Sequence, residues 1–274
     1  MEKHRTIIKP PSSFTLDVGE LWQYRELLYF FTWRDIKVKY KQTALGILWA
    51  LLQPLALMLL FTLIFSHTSL ASTDSNIPYP VFVLSGLIMW NLFHQSVSHA
   101  ADSMIVNASI IKKIYFPRLL IPVSNLFTAV FDFVIAFVVF LLLCLYYHQP
   151  PDILALVFFP LAILICLIAS FGLGSLLGAL NVKYRDFRYA LPFVLQIGFF
   201  MSQVIYSFSN VQNDWLQWII SFNPMNAVIE LFRGGLGAEV NFQAVFTGTL
   251  TAVTIAIIGV WYFRKTEKFF ADIA

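Results

Sequence analysis

The sequence predicts an all-α integral membrane protein with six transmembrane helices and both termini in the cytoplasm. Hydrophobic residues make up 59% of its 274 residues and charged residues only 12%, a composition that excludes an ordinary soluble domain. Six apolar stretches reach the length of about twenty residues that a helix needs to cross a bilayer. The third observation is that the basic residues cluster on alternate connections between these stretches.

Residues 1–43 predict a cytoplasmic lead-in followed by an amphipathic interfacial helix. Asp17 with Glu20 three residues later is typical of a helix start. The apolar residues that follow recur at three- and four-residue steps, at Leu21, Tyr24, Leu28 and Phe31. This spacing predicts a helix that lies along the inner leaflet, and packing on a partner protein would use the same apolar face.

Six spans follow in the transmembrane region 44–263, before a cytoplasmic tail over residues 264–274. We place them at about residues 44–66, 80–100, 119–147, 153–180, 189–208 and 242–263. The second span is interrupted by polar residues in its later half, which indicates that it faces protein or a cavity. In the fourth, Gly174 and Gly178 have the spacing that allows close helix packing.

The basic residues orient the predicted spans. With the amino terminus in the cytoplasm, every one of the 18 Lys and Arg residues except Arg233 lies on the cytoplasmic side. Arg233 belongs to the outer segment 210–241, in which two short apolar stretches are broken at Asn223 and Pro224. Both stretches are too short to span, so we predict two re-entrant helices that dip into the outer leaflet or cover an exit.

Two inner connections have more pattern than a free loop needs. Residues 103–118 (SMIVNASIIKKIYFPR) combine helical apolar spacing with Lys112 and Lys113, and residues 181–188 (NVKYRDFR) form a compact polar turn. Docking of a partner and ordinary membrane anchoring by basic residues both explain these segments. On the amphipathic helix, Arg34, Lys37 and Lys41 form one stripe that can face phosphate headgroups or an acidic partner.

Asp132 is the only ionisable residue deep in a predicted span. Such a carboxylate is either part of a proton or ion step or an acid held at a helix contact. The chain has no phosphate-binding loop of the form GxxxxGK[ST]. Transport against a gradient would therefore draw its energy from a partner or an ion.

Three motifs carry a resemblance to a known family. They are WRDIKVKYKQTALGILWALLQPL at residues 33–55, the NVKYRDFR loop, and FNPMNAVIELFRGG before the last span. From about Leu21 onwards the chain resembles the permease subunit of O-antigen-type ATP-binding-cassette polysaccharide exporters, in the ABC-2 superfamily. The resemblance implies a homodimer bound to two copies of a separate ATPase, exporting undecaprenyl-diphosphate-linked glycan across the bacterial inner membrane. It implies no catalytic residue, metal or cofactor in this chain, with ATP and Mg²⁺ on the partner, and no nucleic acid.

The resemblance also implies roles for particular residues. Residues 103–118 would be a coupling helix seated on the ATPase, assisted by the 181–188 loop. The expected contacts are Asn107, Ile110, Lys112, Lys113, Tyr115, Tyr184, Arg185 and Asp186. Residues 210–235 would form gate helices at the outer exit. The expected gate residues are Trp215, Trp218, Asn223, Pro224, Met225, Glu230 and Arg233. We add the hypothesis that Arg34, Lys37 and Lys41 meet the diphosphate of the lipid carrier.

Other functions stay open from sequence alone. An ABC permease for teichoic acid, capsule or a drug would share this fold. An ion-coupled secondary transporter would need no ATPase and would use Asp132. A membrane enzyme acting on glycans would place its catalytic groups in the outer segment, where the apolar residues between the charged ones favour a gate.

Overall fold

A computed structural model describes residues 18–41, 46, 48–66, 77–184, 186–207, 213–267 and 270. Every regular element within these ranges is a helix, as the composition predicts. The helices are α1 (Val18–Gln23), α2 (Arg25–Lys41), α3 (Leu48–Phe65), α4 (Tyr79–Val106), α5 (Ala108–Ile111), α6 (Leu120–Tyr146), α7 (Ala155–Lys183), α8 (Phe187–Phe200), α9 (Asp214–Ser221), α10 (Pro224–Gly234) and α11 (Phe242–Thr266).

Five helices of the described chain are long and apolar enough to cross a membrane, namely α3, α4, α6, α7 and α11. They correspond to the first four predicted spans and the sixth. The fifth predicted span corresponds to α8, which has only 14 residues. At 1.5 Å per residue α8 reaches about 21 Å, which is less than the roughly 30 Å of a hydrocarbon core. Within the described residues there are therefore five helices of spanning length and one shorter apolar helix, and six full spans are not confirmed.

Helix α4 is the centre of the bundle. In its most apolar window 78% of the residues are buried, against 11 to 39% for the other four long helices. It packs against α3, α6, α7, α8 and α10. The prediction that the polar second span faces protein is confirmed.

Helix α7 approaches both of its neighbours through glycine. A Cβ added at Gly174 would lie 2.6 Å from Cβ of Ala100 on α4, and one at Gly178 would lie 3.0 Å from the Ala100 carbonyl oxygen. On the α11 side, a Cβ at Gly172 would collide with the backbone of Ala256. The prediction of close packing in this span is confirmed, because no side chain fits between the helices at these positions.

Helix α2 packs along α6 of the same subunit. Its apolar face, including Phe31, joins a buried cluster with residues that begin α6. Thr32 Oγ1 lies 3.5 Å from the Ser124 carbonyl oxygen, and the ring of Tyr40 lies 5.9 Å from that of Phe131. In these two pairs the later residue of α2 contacts the later residue of α6. Helix α2 therefore runs beside the first half of α6 in the same direction. Part of the apolar face of α2 therefore contacts this chain's own bundle, and the predicted position along the inner leaflet stays a prediction.

Candidate functional site

The connections predicted to be cytoplasmic meet at one end of the bundle, which we call the inner end. Arg188 Nε lies 3.4 Å from Asp102 Oδ1, which joins the start of α8 to the end of α4. Asn181 Nδ2 donates a hydrogen bond of 2.9 Å to the Ala101 carbonyl oxygen. Arg118 donates to the backbone of Glu267 just beyond α11. The two patterned loops and the end of α11 therefore share one surface.

The predicted coupling segment has an inner and an outer face at this end. Asn107 is 5% exposed, and its Nδ2 donates 2.9 Å to the Ser103 carbonyl oxygen. Ile110 is half-buried beside it. The side chains that reach outward form the coupling rim, which consists of Lys112, Lys113, Ile114 and Tyr115. Ile114 was not among the predicted contacts, although it is 60% exposed.

The second predicted coupling loop is also exposed. Tyr184 is 48% exposed, and the ammonium of Lys183 lies 5.1 Å from the centre of its ring. Asp186 is exposed immediately before α8. Arg185 lies outside the described residues. Because Arg188 contacts Asp102 at the end of α4, this loop and the coupling rim face the same side.

The three basic residues of the stripe on α2 differ in their surroundings: one is hydrogen-bonded within the subunit and two are exposed. Arg34 Nη2 donates 2.9 Å to Asn107 Oδ1 and its Nε donates 2.8 Å to Asp35, so Arg34 ties α2 to the coupling segment. Lys37 and Lys41 are exposed. Together the stripe borders an open, mostly apolar groove of about 340 Å³, lined by Phe30, Trp33, Arg34, Lys37, Val38 and Lys41.

Asp132 is held by two residues of α2. Its carboxylate is 4% exposed and accepts hydrogen bonds from Lys39 Nζ and from the Tyr40 hydroxyl. Lys39 Nζ also donates 3.0 Å to Gln95 Oε1 on α4. Burial and the hydrogen bond to Asp132 raise the pKa of Tyr40, so this phenol stays protonated and donates. These surroundings fit the second of the two roles considered for Asp132, an acid held at a helix contact.

Arg233 occupies a buried site at the opposite end of α4. It is 4% exposed, and its Nη2 donates to the carbonyl oxygens of Phe82 at 3.1 Å and Val204 at 3.0 Å. Its guanidinium lies 3.3 Å from the centre of the Phe82 ring. Phe82 is 25 residues before Asn107, about 37 Å along a helix, so this outer end is remote from the coupling rim.

Two asparagines explain why α8 ends early. Asn226 is fully buried; its Oδ1 accepts a 2.8 Å hydrogen bond from the backbone N–H of Gln203, and its Nδ2 donates to the Ile220 carbonyl oxygen at 2.6 Å. Asn223 caps α10 and donates 3.0 Å to Ser202 Oγ. These two side chains hydrogen-bond to polar groups of the turn that follows α8. The turn therefore does not need the backbone hydrogen bonds that a longer helix would provide. Sequence analysis singled out Asn223 and missed Asn226, for which the only signal was its place three residues later in the same motif.

The predicted gate residues divide between two environments. Trp215 and Trp218 on α9 are exposed. Pro224 and Met225 are buried at the start of α10. Glu230 accepts a 3.0 Å hydrogen bond from the Asn241 backbone, and burial raises its pKa despite that bond and the nearby Arg233. Helix α10 is thus part of the core, and α9 presents the free surface of the outer end.

Residues 26–236 match the family described as ABC-2 type transporter. The chain belongs to this family. The match begins in α2 and ends after α10, so this ABC-2 type transporter includes both the inner end and the outer end within the family region. Membership sets aside an ion-coupled carrier and a glycan-modifying enzyme, the alternatives from other classes.

Several relatives carry names that concern glycan export. This ABC-2 type transporter is 29% identical to the O-antigen export system permease protein RfbA of Klebsiella pneumoniae over 90% of this chain and 95% of the relative. It is 32% identical to the protein of the same name from Myxococcus xanthus, over 79% and 82% of the two chains. The polysialic acid transport protein KpsM of Escherichia coli is 25% identical over 86% and 91%.

Proposed function

We propose that this chain is the permease subunit of an ABC exporter that moves lipid-linked polysaccharide of the O-antigen type across the bacterial inner membrane. The observation that carries the proposal is the near end-to-end similarity to O-antigen export permeases. The polysialic acid transporter is a more distant relative, which supports a polysaccharide cargo in general and favours the O-antigen class among them. Undecaprenyl diphosphate is the lipid carrier that the motif resemblance implies.

The packing of the subunit supports a passage between two copies. Helix α4 fills the centre of the bundle with side chains such as Val83, Leu87 and Met89, each fully buried, and no hydrated glycan fits through such a core. By contrast, only 11% of the most apolar window of α3 is buried. We therefore propose a homodimer with the passage along the interface.

A separate ATPase would bind at the coupling rim. The rim exposes the side chains of Ile114 and Tyr115 beside its two lysines, and exposed tyrosine is typical of protein interfaces. Its base is fixed by Asn107, so movement of a bound partner would reach α4 and α2 directly. ATP and Mg²⁺ would be held by that partner.

Reversing the rim charges is expected to weaken ATPase binding. Replacing Lys112 and Lys113 by Glu together should lower the affinity by about tenfold, because charge complementarity across the interface is lost. The affinity is measured by titrating the purified permease with the proposed partner ATPase. Lys265→Glu, an exposed lysine at the same end, is the matched control. Unchanged affinity in the double variant would place the ATPase elsewhere.

Assembly provides the direct test of the proposed function. The permease is co-expressed with the candidate ATPase of the same host, purified in detergent or nanodiscs, and analysed by native mass spectrometry. The proposal predicts two copies of each chain and ATP hydrolysis that depends on the complex. A permease that neither dimerises nor retains any ATPase would contradict it.

The lipid carrier's diphosphate is expected to interact with Lys37 and Lys41. Replacing both by Glu should lower export by about thirtyfold, since each basic residue near an anionic group contributes about 1 kcal/mol of attraction and the two together about 2 kcal/mol. Export is measured as the surface glycan formed after induction, at matched membrane levels of the permease. Arg25→Glu, exposed at the start of the same helix, should have little effect. Normal export by the double variant would overturn this role. Arg34→Glu is a separate case, because it would also break the contact with Asn107.

A further inference from the structure

Helix α2 is attached to the rest of the subunit near its middle and at its carboxyl end. Near its middle, the ring of Phe31 packs 5.7 Å from that of Phe116, and Arg34 donates to Asn107 beside the coupling rim. At its carboxyl end, Lys39 and Tyr40 donate to Asp132. The same helix therefore contacts the segment that faces the proposed ATPase and a buried acid of a long apolar helix.

The attachment of α2 to Asp132 lies far from the inner end of the bundle. Asp132 lies twelve residues beyond the start of α6 at Leu120, which is about 18 Å along the helix axis. Lys39 bonds to Gln95 on α4 at the same level. The carboxyl end of α2 thus joins α6 and α4 well away from the inner end, while its middle stays at the coupling segment.

The contacts of Lys39 and Tyr40 with Asp132 favour joint movement of α2 and α6. Asp132 is buried in an apolar helix, and a carboxylate there needs its counter-charge. Lys39 supplies that charge and Tyr40 a second hydrogen bond. If α2 shifted without α6, the carboxylate would lose both partners and stay buried, which is strongly unfavourable.

We propose that the Lys39–Asp132 ion pair makes α2 a strut that carries movement of the coupling rim to the middle of α6 and α4. Lys39, Tyr40 and Asp132 act as positioning residues, since none of them is placed on the cargo or on ATP. The proposal rests on the proposed function, because it requires an ATPase at the rim. It gives Asp132 a role in transmission that involves no proton transfer.

The first test separates ATP hydrolysis from export. The intact permease–ATPase complex is reconstituted in vesicles, and the variants Asp132→Asn and Lys39→Met are compared with wild type for hydrolysis rate and glycan exported per ATP. The strut predicts hydrolysis near the wild-type rate and export per ATP lower by about tenfold, a typical coupling between distant sites. Glu26→Gln, an exposed carboxylate on the same helix, should match wild type.

A charge swap distinguishes transmission from simple folding. Lys39→Glu combined with Asp132→Lys keeps an ion pair between α2 and α6, and it should regain most of the export per ATP that either change alone removes. Loss of hydrolysis and export in proportion to the amount of complex would show a structural role only and would overturn the proposal. Wild-type export per ATP in Asp132→Asn would overturn it as well. If the wild-type permease binds no ATPase subunit, the proposed function is wrong, and the strut is wrong with it.

A covalent link provides an independent test of rigid movement. Thr32→Cys and Ser124→Cys are joined by a short thiol cross-linker in a variant with Cys144 and Cys166 replaced by Ala. A strut that moves with α6 tolerates this link, so export should continue at the rate of the unlinked double variant. Arrest of export on linking would show that α2 slides along α6 and would overturn the proposal.

Discussion

Arg233→Met is expected to lower the free energy of unfolding by about 4 kcal/mol, in the range for breaking a buried hydrogen-bonded charge network. The substitution removes the Arg233 donor from the buried carbonyl oxygen of Val204 and from that of Phe82, which keeps only the Ser85 hydroxyl as a side-chain donor. A buried oxygen left unsatisfied costs about 1 to 3 kcal/mol. It also removes the guanidinium from the face of Phe82. We expect a melting temperature lower by about 10 °C in detergent, with less folded protein in the membrane.

The conservative variant Arg233→Lys is the matched comparison. Lysine keeps the charge near Glu230 but cannot reach both carbonyl oxygens with one planar group, so its melting temperature should fall between those of wild type and Arg233→Met. Equal melting temperatures for all three proteins would show that Arg233 does not hold α10 to α4. A stable Arg233→Met protein that fails in export would instead assign the residue to transport.

The second large effect is expected for Gly172→Val. A side chain at this position collides with the backbone of Ala256 on α11, and backbone cannot rotate out of the way as a side chain can. Forcing α7 and α11 apart should cost about 3 kcal/mol, the upper part of the usual range for overpacking. The yield of monodisperse protein and its melting temperature measure the effect.

Leu164→Phe is the control for this substitution. It also enlarges a side chain on α7, but Leu164 is 54% exposed and has room to accommodate the ring. It should leave the melting temperature within error of wild type. If Gly172→Val were equally harmless, α7 and α11 would pack less closely than the structure has them.

The spans were predictable because their signal is local. Twenty apolar residues in a row identify a membrane helix without reference to any other part of the chain, and the polar residues of α4 correctly indicated its central position. The length of α8 was not predictable in this way. It depends on Asn223 and Asn226, more than twenty residues further on, whose side chains bond to the turn after Phe200.

The sequence predicted which segments form the candidate site, but not which of their side chains face outward. The 103–118 segment was identified from its pattern, but Asn107 faces inward and Ile114 outward. Both residues flank a one-turn helix, where helical periodicity does not predict which way a side chain faces. Asp132 was singled out from its position in an apolar helix. Its partners could not be, because Lys39 and Tyr40 lie more than ninety residues earlier, in a helix that was expected on the membrane surface.

Export of a lipid-linked glycan is the central claim, and depletion of the permease in its native host tests it most directly. We would measure undecaprenyl-diphosphate-linked polysaccharide on the cytoplasmic face of the inner membrane together with polysaccharide at the cell surface. The proposed function predicts that the lipid-linked glycan accumulates inside while the surface O-antigen disappears. A normal level of lipid-linked glycan, with surface polysaccharide retained, would contradict it.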